Sequence, residues 1–85
     1  MPFKLVWSEK SKKDFKLIEK NICDRILERV ELLAGQDIPR VEKVSGQKFY
    51  KYRVGNYRIF IQLFPVQKIM LVLRVLHRKN AYKNL

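Results

Sequence analysis

The sequence is short of the residues that staple small folds. It has one cysteine, Cys23, so no disulfide can close within the chain. It has one histidine, His77, and no Cys/His cluster with the spacing of a zinc site. No cofactor or metal is expected. It is also short of acid. Only 8 Asp and Glu stand against 19 Lys and Arg, a formal net charge of +11. Long apolar runs are missing too. The most apolar segment, 59–76, is broken by Gln62, Pro65, Gln67, Lys68 and Arg74, which excludes a membrane span. The first ten residues, MPFKLVWSEK, lack the apolar core of a secretory signal, so the cytoplasm is the expected location. There is no repeat, low-complexity tract or linker.

What is present is a modest core's worth of apolar side chains, 47% of 85 residues, which predicts a single domain over 1–85. Aromatic and β-branched residues throughout exclude disorder. The charge excess implies an anionic partner: nucleic acid, an acidic protein or an anionic surface.

Phe3, Leu5 and Trp7 alternate with Lys4 and Val6, the pattern of a first strand. Ser8 is placed to cap the helix that follows. Phe15, Ile18, Ile22, Ile26, Val30 and Leu33 recur three or four apart and form one helical face. A break near Lys20-Asn21, with Asn21 as N-cap and Asp24 in the first turn, divides this run into two helices. Ala34-Gly35 stops the second, and Pro39 follows. Residues 48–54 and 57–64 flank Gly55-Asn56, a two-residue hairpin turn of type II′ or I′. Phe64-Pro65-Val66-Gln67 is the next turn, and 68–76 the last strand. Val41–Val44 is a short strand or a lead-in. The order is β-α-α-β-β-β, and the expected fold is α+β: a mainly antiparallel twisted sheet with two helices on one face.

Strand side chains alternate between faces. In 57–64 the odd residues Tyr57, Ile59, Ile61 and Leu63 make a core row, and Arg58, Phe60, Gln62 and Phe64 face away. Closing the hairpin at Gly55-Asn56 sets Arg53 opposite Arg58, Tyr52 opposite Ile59 and Lys51 opposite Phe60. Lys51, Arg53 and Arg58 then share the outer face. In the last strand Ile69, Leu71, Leu73 and Val75 make the core row, and Lys68, Met70, Val72 and Arg74 a mixed outer row. Like charges opposed across strands cost up to about 1 kcal/mol. Solvated basic side chains on a one-sided sheet would explain the cluster. Interleaving with Phe49, Phe60 and Phe64 points instead to single-stranded nucleic acid, with phosphates on the cations and bases on the rings. The lysines at 10, 12, 13, 16 and 20 form a solvated helix face that can add phosphate contacts without reading sequence.

The elements FYKYRVGNYRIFIQ and LVLRVLHRKNAY, in this order and at this separation, resemble the RelE branch of the RelE/ParE toxin superfamily. The resemblance covers nearly the whole chain. It implies a RelE-like fold and a metal-independent endoribonuclease that cuts mRNA in the ribosomal A site. There the 2′-hydroxyl attacks the adjacent phosphate and leaves a 2′,3′-cyclic phosphate. The implied partners are a RelB-like cognate antitoxin, the ribosome and mRNA, with no membrane. The implied site residues are Lys51 and Arg53 on the first hairpin strand, Arg58 at the start of the second, Arg78 after the last strand and Tyr82 near the C-terminus. His77 stands beside Arg78, where related toxins vary. The tail is shorter than in members with a C-terminal helix, and Arg78 to Tyr82 is a tight spacing.

RNA transesterification needs a base, stabilisation of the phosphorane and an acid for the leaving 5′-oxygen. The chain has no carboxylate pair and no second histidine to divide that work. Arg53, Arg58 and Arg78 are suited to phosphate oxygens, because each presents a fixed fork of donors. Lys51 is the expected base, since crowding by arginines disfavours its charged form. His77 and Tyr82 are the candidate acids. Two other readings stay open: a ParE-type inhibitor of DNA gyrase, and a catalytically weak member that only binds RNA or antitoxin. The basic cluster followed by H-R-x-x-x-Y favours the RelE type.

Overall fold

The two alternating stretches of the sequence become strands in the computed structural model, which describes residues 2–81. The elements are β1 (Lys4–Trp7), α1 (Glu9–Phe15), α2 (Lys20–Ala34), β2 (Glu42–Lys43), β3 (Tyr50–Val54), β4 (Tyr57–Phe64) and β5 (Ile69–His77). Among the described residues they form a five-stranded sheet in the order β1-β5-β4-β3-β2. β2 to β5 are an antiparallel meander, and β1 lies parallel to β5. The expected element order holds, with the two-residue β2 added where a strand or lead-in was read.

Ser8 caps α1 as its sequence position predicts, its hydroxyl accepting the Ser11 N–H at 3.1 Å. The interhelical break lies earlier than expected. α1 ends at Phe15, and α2 starts at Lys20 with Glu19, not Asn21, in the cap position and no side-chain cap bond. The chain turns within Lys16–Glu19 because the last carbonyls of α1 find other donors. Leu17 and Ile18 N–H donate to Asp14 and Phe15 carbonyls. From α2, the Cys23 thiol reaches the Phe15 and Ile18 carbonyls at 3.4 and 3.5 Å. Burial, aided by Asp24, pushes that thiol above its ordinary pKa, so its role is structural.

The helical stripe buries Ile26, Val30, Leu33 and Ala34 against Val54, Ile59, Ile61, Met70, Val72 and Val75 of the sheet. Phe15, Ile18 and Ile22 pack at the margin. The β3–β4 turn has Gly55 at φ +56 and Asn56 at negative φ, the sign pattern of type II′. The β4–β5 turn closes through Lys68 at φ +57, a conformation that costs a non-glycine residue about 1 kcal/mol. Its ammonium sits over the Phe3 ring, 5.1 Å from the centroid.

β5 departs from the simple alternation. Phe60 pairs with Arg74 but Ile61 pairs with Val72, so Leu73 is an extra residue, a β-bulge. A one-residue slip exchanges the faces. Met70 and Val72 are therefore fully buried in the main core, while Leu71 and Leu73 belong to the outer side. Of the expected core row only Val75, beyond the bulge, is buried there.

The bulge falls where β5 loses its outer neighbour, since β1 ends at the Trp7↔Val72 pair. Residues of α1 and its cap replace the missing strand. Ser8 N–H donates to the Val72 carbonyl, and Ser8 Oγ to the Leu73 carbonyl at 2.8 Å. The Asp14 carboxylate accepts the Val75 N–H at 2.9 Å and both Nε and Nη2 of Arg74 at 2.9 Å. Hydrogen bonding to Asp14 raises the Arg74 pKa above its ordinary value despite the cost of burial. Asp14→Ala leaves both donors without this acceptor. It is expected to lower the unfolding free energy by about 3 kcal/mol, read as a lower urea midpoint.

Candidate nucleic-acid interface

Side chains directly opposed across strands share a face. Arg53 pairs with Arg58, and Lys51 with Phe60, the register expected from the turn. Arg58 also pairs with Leu76 of β5. Lys51, Arg53 and Arg58 therefore stand together on the face turned away from the helices. Arg78, the first residue beyond β5, is exposed, and its N–H donates to the Asn56 carbonyl at 2.7 Å. That bond draws it to the hairpin end that carries Arg53 and Arg58. Tyr82 lies outside the described residues.

His77 does not join this group. It pairs with Tyr57, whose ring packs on the main core, and so belongs to the helix-covered face. The two rings meet edge to face, with centroids 5.3 Å apart.

The cations differ in freedom. Arg53 is exposed. Arg58 is half-buried, and its Nη1 leans back on the Tyr57 carbonyl at 3.2 Å and the Gly55 carbonyl at 3.4 Å. Lys51 keeps only 17% of its side-chain surface exposed, and its Nζ lies 3.7 Å from the Glu42 carboxylate. That contact follows from the β2–β3 register, which sets Glu42 opposite Lys51. It was not legible in the sequence, because β2 is only two residues long. No Asp or Glu follows Glu42 in the chain, whereas the first 42 residues hold all eight acids. Nearly the whole charge excess thus falls on residues 43–85, where the outer face of the sheet originates.

Arg74, expected in the outer row, is instead engaged by Asp14. The partners lie 60 positions apart, and no local pattern announces the pair. The rings also differ from expectation. Phe60 is fully buried in a second, smaller cluster with Leu76 and Ala81. Val44, Phe49 and Leu73 pack on it, and the Phe49 ring stands edge-on to Phe60 at 5.9 Å. Loop and C-terminal residues thus fold over the middle of this face, so Phe60 is no platform for a base. The cations border this cluster: Lys51 stands opposite Phe60, and Arg58 opposite Leu76. Among the described residues no group of His, Cys, Asp and Glu could hold a metal ion.

A family model described as "ParE toxin of type II toxin-antitoxin system, parDE" matches residues 5–82. No curated protein sequence matches the chain. Among solved structures, the fold is similar to the RelBE2 toxin–antitoxin complex of Mycobacterium tuberculosis, at TM-score 0.81 and 17% identity over 92% of this chain and 93% of that one. It is similar to the RelB-RelE complex of Methanococcus jannaschii, at TM-score 0.75 and 28% identity over 94% and 98%. It is also similar to the RelE-RelB complex of Pyrococcus horikoshii, at TM-score 0.75 and 22% identity over 95% and 100%. Sheet order, helix placement and basic face together define a toxin fold of the RelE/ParE superfamily. The chain belongs to the ParE toxin family of type II toxin–antitoxin systems.

The burial of Phe60 yields a direct expectation. Phe60→Ala should cost about 3–5 kcal/mol in urea unfolding, the loss of a core aromatic. A ring serving only to stack on RNA would leave stability unchanged.

Proposed function

We propose that this toxin is a metal-independent endoribonuclease that cuts ribosome-bound mRNA on the outer face of its sheet. The observation that carries this reading is the hairpin register, which puts Lys51, Arg53 and Arg58 side by side with Arg78 at the same end. Opposed cations raise the energy of the empty face, and a bound phosphate relieves it.

In the proposed reaction the 2′-hydroxyl oxygen attacks the adjacent phosphorus and the bond to the 5′-oxygen breaks. The products are a 2′,3′-cyclic phosphate and a 5′-hydroxyl. Lys51 is the proposed base that takes the 2′-hydroxyl proton. Arg53, Arg58 and Arg78 hold the phosphorane oxygens, where charge develops. Tyr82 is the candidate proton donor to the departing oxygen. With so few acid–base groups, the chain needs the ribosome to set the message in line for attack, which explains a ribosome-dependent activity. The solved relatives are complexes with RelB-type antitoxins, and a RelB-like antitoxin is the proposed regulator here. Among the described residues no helix is long and apolar enough to cross a membrane. We place the toxin in the cytoplasm, where ribosomes and antitoxin are.

A second reading, inhibition of DNA gyrase, is favoured by the description of the matching family model. Cleavage of ribosome-bound mRNA and gyrase supercoiling, measured side by side, separate the two. Under the first reading Arg58→Ala and Arg78→Ala each lower mRNA cleavage by about a hundredfold, as expected when a preorganised phosphate donor is removed. Losses below tenfold contradict the arginine roles. Loss of supercoiling with intact mRNA selects the second reading.

A further inference from the structure

We infer that His77 is a positioning residue that aims Arg78 at the cation face and exchanges no proton with RNA. The inference rests on the ribonuclease reading and deepens it. Three hydrogen bonds surround Arg78. Its own N–H donates to the Asn56 carbonyl at 2.7 Å. The next residue, Lys79, donates its N–H to Nδ1 of His77 at 3.2 Å. Asn80 N–H donates to the His77 carbonyl at 2.8 Å. His77 thus accepts from both residues that follow Arg78, through its ring and through its carbonyl.

The ring is itself fixed from the other side. It lies edge to face with Tyr57 at 5.3 Å, in a cleft of about 150 Å³ lined also by Asp14, Leu17, Ile18 and Asn80. This cleft opens on the helix side of the sheet. A proton leaving the imidazole there is on the wrong side of β5 for a phosphate held by Arg53 and Arg58. What reaches the cation face from this position is the direction of the chain. Leu76 points outward with Arg58, His77 inward with Tyr57, and the bonded turn after His77 sets Arg78 at the hairpin end. The ring's chemical role is to accept one hydrogen bond at Nδ1, which requires that nitrogen to carry no proton.

Side chains that place an acceptor at different points of the ring separate the roles. In His77→Asn the amide oxygen stands near the position of Nδ1, and in His77→Gln near that of Nε2. Neither transfers protons at neutral pH. Single-turnover cleavage of ribosome-bound mRNA should fall by no more than about threefold in His77→Asn. It should fall by about tenfold or more in His77→Gln and His77→Ala, the worth of one hydrogen bond to this turn. Equal inactivity of the Asn and Gln variants would overturn the inference in favour of proton transfer. Wild-type rates in all three would overturn it in favour of no role.

Should the wild-type toxin leave mRNA intact, it is the ribonuclease reading that fails, and amide hydrogen exchange at Lys79 then carries the test. Exchange that is slow in wild type and His77→Asn but about tenfold faster in His77→Ala supports the positioning contact. Equal exchange in all of them contradicts it.

Discussion

Asp14 stands where β5 runs out of neighbours. β1 ends at Trp7, the bulge at Leu73 breaks the ladder to β4, and the backbone of β5 would face solvent at its most irregular point. One carboxylate takes up the Val75 N–H and the fork of Arg74 together, while Ser8 covers the Leu73 carbonyl. A half-satisfied bulge in the middle of a sheet would cost far more than a surface ion pair returns. With the bulge held, the strand changes faces in mid-course and serves two cores. Met70 and Val72 lie under the helices before the bulge, and Leu76 lies against Phe60 after it.

That exchange shapes the site. Without the slip, Leu76 and His77 would trade faces, and the outer side would carry the imidazole. With it, Leu76 helps to fill a small apolar cluster beneath the cations, and His77 is withdrawn to the helix side. Lys51, Arg53 and Arg58 are thus mounted on a packed floor, the kind of support that holds a charged constellation in one geometry. Arg74, a cation by composition, is held by Asp14.

Much of this was legible in the sequence, and the limits have physical causes. The hairpin register followed from Gly55-Asn56, because a two-residue turn leaves no freedom of pairing. The helical stripe from Phe15 to Leu33 followed from its spacing, and the Ser8 cap from its place before it. Local pattern does not encode a bulge, so alternation extended through Leu73 gave the wrong rows for the first half of β5. The Asp14–Arg74 and Glu42–Lys51 contacts are products of topology, visible only once β5 and β2 have found their places. The outward alternation of Phe60 was right, but the loop and C-terminal residues that cover it could not be read from strand periodicity.

The proposed site for one phosphate of an RNA chain is the cation face, which the hairpin register assembles. The most direct measurement is the chemistry of the ends it leaves. Messenger RNA from a translating reaction treated with the toxin should, by mass spectrometry, carry 2′,3′-cyclic phosphate at new 3′ ends and hydroxyl at the matching 5′ ends. Intact messages, or new 3′ ends bearing hydroxyl, would contradict it.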